Sequence, residues 1–167
     1  GDETKGLTYD ETVYQIKVTV TNISDQLMVT AITVNGQAVP ATGLKQALVF
    51  RNTYEAEMKT PLVISGTKIL AGRDITANDN FRFTIQNAAG YKETVSCGVD
   101  GKFSFTGLTF DAAGTYTYTI SEQTGSLASV TYDETIHNVV ITVTDNGEGQ
   151  LSATYAVDGV ANGPISF

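Results

Sequence analysis

The chain has no tryptophan, one cysteine (Cys97), one histidine (His137), two methionines and three prolines among 167 residues. A single cysteine excludes an intrachain disulfide, so any covalent staple has to come from other chemistry. It leaves the compartment open, because a cytosolic chain can have the same count. One histidine and one cysteine give almost no material for a zinc site or a Cys/His nucleophile pair. Positive charge is also scarce: ten Lys+Arg stand against eighteen Asp+Glu, a net charge of -8, with no basic run. Nucleic acid demands a basic face and an anionic membrane surface demands a polybasic segment, so neither is an expected partner. The acidity is read as solubility. No apolar run nears the length of a membrane span, and no signal peptide or sorting signal is legible. In an exported parent those parts lie outside these residues. Gly-rich phosphate cradles are absent, since the glycines sit at hairpins, and no cofactor is expected.

What the chain does have is Thr, Val and Tyr in alternating segments, and side chains of that kind suit a pleated surface. The segments are 13–21, 27–34, 46–54, 62–70, 81–86, 102–105, 114–122, 137–144 and 151–157. Tight-turn dipeptides separate several of them: Asn35-Gly36, Asp100-Gly101, Asn146-Gly147 and Asp158-Gly159. Helical periodicity is nearly absent. Short strands at this spacing predict an all-β, Ig-like β-sandwich.

An internal repeat sets the organisation. Thr8-Tyr9-Asp10-Glu11-Thr12 recurs as Thr131-Tyr132-Asp133-Glu134-Thr135, an offset of 123 (131 − 8). At that offset Val18-Thr19-Val20-Thr21 matches Ile141-Thr142-Val143-Thr144, and Val34-Asn35-Gly36 matches Val157-Asp158-Gly159. After a loop of different length, Leu48-Val49-Phe50 aligns with Ile165-Ser166-Phe167. Residues 1–56 therefore read as the C-terminal half of a first repeat, and 57–167 as a second repeat lacking the end of its final strand. A half sandwich leaves its sheet edges and inner face uncovered.

Strand parity then picks out three polar residues, because side chains two apart share a face. Lys68 continues the stripe Leu62, Ile64, Gly66; Glu122 continues Tyr116, Tyr118, Ile120; Asn52 stands between Phe50 and Tyr54. Each could end its strand with a polar tip in solvent. Together they make a chemistry. Desolvation disfavours both ammonium and carboxylate, so burial favours a nucleophilic amine and a protonated acid. The amine attacks an asparagine carboxamide polarised by the acid, ammonia leaves, and an isopeptide bond joins two strands. Contact between the groups provides the effective concentration.

The order Gly66-Thr67-Lys68-Ile69-Leu70-Ala71-Gly72, Phe81-Arg82-Phe83, Gly101-Lys102-Phe103-Ser104-Phe105 and Gly114-Thr115-Tyr116-Thr117-Tyr118-Thr119-Ile120-Ser121-Glu122 resembles the isopeptide-forming Ig-like repeat of streptococcal-type major pilins and surface adhesins. Phe50-Arg51-Asn52-Thr53-Tyr54 resembles its final strand. The resemblance implies Lys68 as amine, Glu122 as catalytic acid and Asn52 as acceptor of the preceding repeat. It implies a secreted, cell-wall-anchored surface module of a Gram-positive cell. The module would carry load beside neighbouring repeats or pilin subunits and would not be an enzyme that turns over. The second repeat's own asparagine is expected just past Phe167, so neither repeat holds a full triad. The open edge would allow donor-strand completion, with the Asn52 strand docked on Lys68 and Glu122 of its own or a neighbouring chain in a strand-exchanged oligomer.

The rival class is an Ig-like module binding a host protein or glycan through its loops, for which the sequence shows Tyr91 and Phe110 near turns but no denser aromatic cluster. His137, which matches Tyr14, and Cys97 are expected to be structural. Asp10, Glu11, Asp133 and Glu134, and the loop carrying Asp74, Asn78, Asp79 and Asn80, lack the ligand spacing of a calcium site and read as solvated turns.

Overall fold

Alternating branched and aromatic residues become strands along nearly the whole chain in the computed structural model, which describes residues 5–167. The fold is all-β, and the chain divides into two compact units.

The first unit, Leu7–Glu55, holds β1 (Leu7–Thr8), β2 (Ile16–Ile23), β3 (Gln26–Val34), β4 (Gln37–Ala38), a helical turn at Ala41–Gly43, α1 (Leu44–Ala47) and β5 (Thr53–Tyr54). β2, β3 and β4 form an antiparallel meander, and β1 pairs with β5. Asn35 and Gly36 (φ 50° and 81°) close the β3–β4 hairpin as expected of that dipeptide. Ser24 and Asp25 (φ 53° and 63°) close β2–β3 in the same left-handed way. Ser-Asp is a weak sequence signal for such a turn, and the strands run further toward it than the alternation implies. The register slips by one residue between Thr19 and Val20, which keeps Ile16, Val18 and Val20 opposite Val34, Ile32 and Val29 on one face. The segment expected as a strand over 46–54 pairs only at Thr53–Tyr54, and its start belongs to α1. Leu44, Lys45, Gln46 and Ala47 are good helix formers following Pro40, whose carbonyl accepts Gly43 N at 2.7 Å.

The second unit, Ala56–Phe167 with Lys5 and Gly6, holds β6 (Leu62–Thr67), β7 (Arg82–Gln86), β8 (Lys92–Ser96), β9 (Lys102–Leu108), β10 (Gly114–Glu122), β11 (Ile136–Asp145), β12 (Leu151–Val157) and β13 (Val160–Ala161). One sheet has the order β13-β12-β11-β10-β7-β8 and the other pairs β6 with β9. Residues 165–167 run parallel beside β6, with Thr67 N donating to Ile165 O at 2.9 Å and Phe167 N to Thr67 O at 3.1 Å. Ile64, Phe103 and Phe105 of the small sheet meet Phe83, Ile85, Ile120 and Ile141 of the large one in a single core. The Phe83 and Phe103 rings stack at 3.9 Å.

Gly66 lies under that stack. A β-carbon there would stand 2.2 Å from Phe103 Cζ, and the ring, held against Phe83, has nowhere to go. The loop before β7 is tied by a different contact. The Asp79 carboxylate accepts both Arg73 guanidinium nitrogens at 2.7 Å, Thr76 N at 2.7 Å and Thr76 Oγ at 3.2 Å. Asp79 is thus buried within a loop whose other polar residues, Arg73 and Thr76 included, stay exposed, so the solvated turn expected from sequence fails at this one carboxylate. The Arg73 guanidinium is the main reason the Asp79 carboxyl is held well below the usual carboxylate range.

Two outcomes follow. Gly66→Ala should destabilise the second unit by about 1–3 kcal/mol through overpacking, read as a lower urea midpoint. Asp79 has a depressed native pKa, so its contribution is complete above the unfolded value of about 3.9 and disappears as pH falls through the native value. The acid-side decline in stability, followed by urea titration at a series of pH values, should therefore be shallower in Asp79→Asn.

Candidate functional site

Lys68 follows directly on β6. Its N–H donates to Gly101 O at 2.7 Å. Gly101 (φ 75°) is the residue that allows this approach, since a β-carbon there would stand 2.3 Å from Lys68 O. Strand parity carries the Lys68 side chain inward, where it is 4% exposed with Nζ 5.1 Å from the Phe81 ring centroid. Glu122 is the last residue of β10, paired with Phe83 of β7, and its side chain is fully enclosed.

The two polar ends meet: Lys68 Nζ donates to Glu122 Oε2 at 2.8 Å. Oε2 also accepts Asp133 N at 2.7 Å. Asp133 is fixed in turn by an Asx turn in which its Oδ1 accepts Thr135 N at 2.8 Å, and hydrogen bonds from Thr135 lower its own carboxyl pKa. Glu122 Oε1 is buried and, among the described residues, has no hydrogen-bond partner. Such an oxygen is costly in an apolar core and marks where a further polar group belongs.

The strand beside the pair is also fixed. Ile69 N donates to Phe167 O at 2.7 Å, so residues 165–167 run past Lys68 on the free side of β6. His137 clasps this segment: Nδ1 lies 2.7 Å from Asp158 Oδ2, Nε2 lies 3.2 Å from Ser166 O, and the ring stands edge-on to Phe167 at 5.0 Å. The repeat's own chain thus lies along the edge that the sequence reading left open to strand exchange.

Asn52 is in the first unit and is exposed, not buried between aromatics as parity implied, because Phe50 and Tyr54 on either side of it are exposed too. Its Oδ1 accepts Asp10 N at 3.1 Å. Asp10 Oδ2 accepts Arg51 N at 2.6 Å and Oδ1 accepts Thr12 N at 2.8 Å. Tyr14 holds the preceding residue pair, donating from its hydroxyl to Val49 O at 2.7 Å with its ring edge-on to Phe50 at 5.3 Å. Tyr14 and His137, matched in sequence, therefore do the same work in their respective units. Sequence reasoning placed His137 at a structural rim position and missed this clasp. The signal available was its match to Tyr14, a residue equally able to reach a carbonyl.

The other candidates are occupied structurally. Phe110 is buried against Tyr116 at 4.6 Å, and Tyr91 packs on Tyr118 and donates to Glu93 Oε2 at 2.9 Å. Neither offers the exposed aromatic patch that a ligand-binding module would require. Cys97 is half-buried, and burial pushes its thiol pKa up, which suits an inert side chain.

Removing one member of a buried ion pair strands the other. Lys68→Met should cost about 3–5 kcal/mol, measured by urea denaturation. The double variant Lys68→Met/Glu122→Gln, which keeps an acceptor for Asp133 N, should recover most of that loss.

The model of one protein family matches this chain twice, over residues 2–55 and 64–167: FctA, the Spy0128-like isopeptide-containing domain. No curated protein matches it. The family comprises structural, non-enzymatic pilin modules of the cell surface. Among the described residues no helix is long and apolar enough to cross a membrane. The match takes in both units and most of the chain, and the chain belongs to the family of Spy0128-like isopeptide-containing domains.

Proposed function

We propose that the chain is a load-bearing module of a pilin or adhesin stalk whose repeats staple themselves by Lys–Asn isopeptide bonds, with Lys68 as nucleophile and Glu122 as acid. The observation that carries this reading is the buried 2.8 Å contact between Lys68 Nζ and Glu122 Oε2, with Oε1 left without a partner beside it. A sandwich gains nothing in stability from such a pair that well-packed apolar residues would not give it. A reaction centre does.

The step balances as follows. The ammonium proton of Lys68 passes to Glu122 along their hydrogen bond, leaving a neutral amine and a carboxylic acid. The acid donates to the carbonyl oxygen of an asparagine carboxamide, and the amine attacks its carbon. The C–N bond to the amide nitrogen breaks as the new C–N bond is completed. Ammonia departs with the surplus proton, and Glu122 returns to carboxylate. Each module reacts once, and the rate comes from enforced contact. Asn52 serves as the acceptor of the first repeat. For Lys68 the matching acceptor is an asparagine two residues beyond Phe167, as Asn52 stands two beyond Phe50, on the strand that runs parallel to 67–69.

The bond would tie β6 to the last strand, so that force along the chain is borne by covalent links. This suits a secreted subunit anchored to the wall of a Gram-positive cell and packed against neighbouring subunits. Closing a loop of ~100 residues should also stabilise the fold by about 4–5 kcal/mol in the chain-entropy account.

The test extends the chain past Phe167 with the sequence of Arg51, Asn52, Thr53 and Tyr54. Its intact mass should fall short of the sequence by one ammonia, while the Glu122→Gln version keeps full mass. Full mass in the extended parent, with native circular dichroism, would defeat the reading.

A further inference from the structure

His137 and Asp158 stand in the second unit where Tyr14 and Asn35 stand in the first, both pairs related by the offset of 123 (137 − 14 and 158 − 35). The surrounding backbone is alike. Asn35 and Asp158 both have φ 50°, and each accepts a main-chain N–H through its side chain, Gln15 N at 2.9 Å and Asn138 N at 2.8 Å. Tyr14 and His137 each reach the carbonyl ahead of a phenylalanine. The chemistry differs, because a tyrosine and an asparagine stay neutral near pH 7 whereas a histidine and an aspartate can form an ion pair.

Both ring nitrogens of His137 face oxygen: Nδ1 lies 2.7 Å from Asp158 Oδ2 and Nε2 lies 3.2 Å from Ser166 O. A carboxylate and a carbonyl can only accept, so the imidazolium, with an N–H on each nitrogen, is the form that satisfies both. On losing one proton the ring keeps the N–H that faces the anion, where the hydrogen bond is charge-assisted. The Nε2 lone pair then points at the Ser166 carbonyl, and the contact to the strand is the one lost. The other charged group around the ring is Asp133 on the connector, whose carboxyl pKa is lowered first by Thr135 and further by the charges of Lys68 and His137. β10 places Ile120 opposite His137, and residues 164–167 carry no charged side chain.

We propose that His137 and Asp158 form a proton-operated latch, which holds residues 165–167 over the edge of the chain at 67–69 when the ring is charged and loosens them when it is neutral. The alternation of that edge defines what the latch covers. Thr67 N and Ile69 N donate to Ile165 O and Phe167 O, whereas Lys68 N donates the other way, to Gly101 O. The latch closes as pH falls through the range in which histidine gains its charge, about pH 8 to 5. It fails again only in stronger acid, as pH falls through the native value of Asp158, which the His137 contact lowers most and Asn138 N lowers further. It acts on this chain's own final residues and requires no cross-link. The first unit, with its neutral pair, has a clasp that does not respond to pH in this range.

Amide exchange followed by NMR at about pH 5, 6.5 and 8, corrected for the intrinsic rate at each pH, provides the test. Protection of Thr67 and Ile69 should fall by about tenfold or more from the lowest to the highest pH, the scale of one hydrogen bond to a charged group, while that of Lys68 stays level. Nitrogen shifts of the ring should show both nitrogens protonated in the acid sample and Nδ1 alone protonated in the alkaline one. His137→Tyr/Asp158→Asn imports the pair that the first unit already accommodates, and it should hold Thr67 and Ile69 equally protected throughout. Asp158→Asn alone keeps an acceptor for Asn138 N and should move the loss of protection to lower pH. Level protection of Thr67 and Ile69 in the unaltered chain would overturn the latch. So would an equal loss at Lys68, which would mean general loosening, a pH dependence that survives in the double variant, or an Nε2–H ring in the alkaline sample.

Discussion

A lysine and a glutamate held 2.8 Å apart inside an apolar sandwich are the constraint around which the second unit is arranged. Each ion gives up several kcal/mol of hydration, which their mutual attraction returns only when the geometry and the remaining hydrogen bonds are good. Here the geometry is good and the bonding is incomplete. Asp133 N seats one carboxylate oxygen, while the other has no partner among the described residues. Much of the local backbone serves this arrangement. Gly101 lets the Lys68 carbonyl come close, Phe81 walls the amine, and β7 fixes the end of β10 on which Glu122 stands.

Repetition shows which features of the back half are held constant. The tyrosine at 14 becomes a histidine at 137, yet both reach the carbonyl of the residue before a phenylalanine and both meet that ring edge-on. The aspartate of the connector keeps its Asx turn in both copies. What is preserved is the placement of the final strand against the connector, which is also the placement that a bond between the first and last strands needs. In the second unit the His137 ring is itself braced by Asp158, whose carboxyl pKa is lowered by that contact.

The sequence makes the all-β class, the repeat and the inward stripe ending in Lys68 legible because strand parity is a local property. The same parity put Glu122 at the end of the Tyr116–Tyr118–Ile120 stripe. It could not show that Lys68 and Glu122, 54 residues apart, would meet, since that depends on sheet-to-sheet packing. Parity misplaced Asn52, because a residue on an inner face is buried only when something covers that face. It also extended a strand through 46–54 where helix-forming residues after Pro40 make a turn of helix. The Arg73–Asp79 knot was unreadable for a related reason: an acidic loop looks solvated until its guanidinium partner is located.

The central claim concerns a bond, and the most direct measurement looks for it where the protein works. The parent polypeptide, taken from the surface of the cells that make it, would be digested and sequenced by tandem mass spectrometry. The account predicts a branched peptide in which the Lys68 side chain is joined to an asparagine side chain from the strand following Phe167, one ammonia lighter than its two parts. Recovery of the Lys68 peptide wholly unbranched, with a free amine, would contradict it.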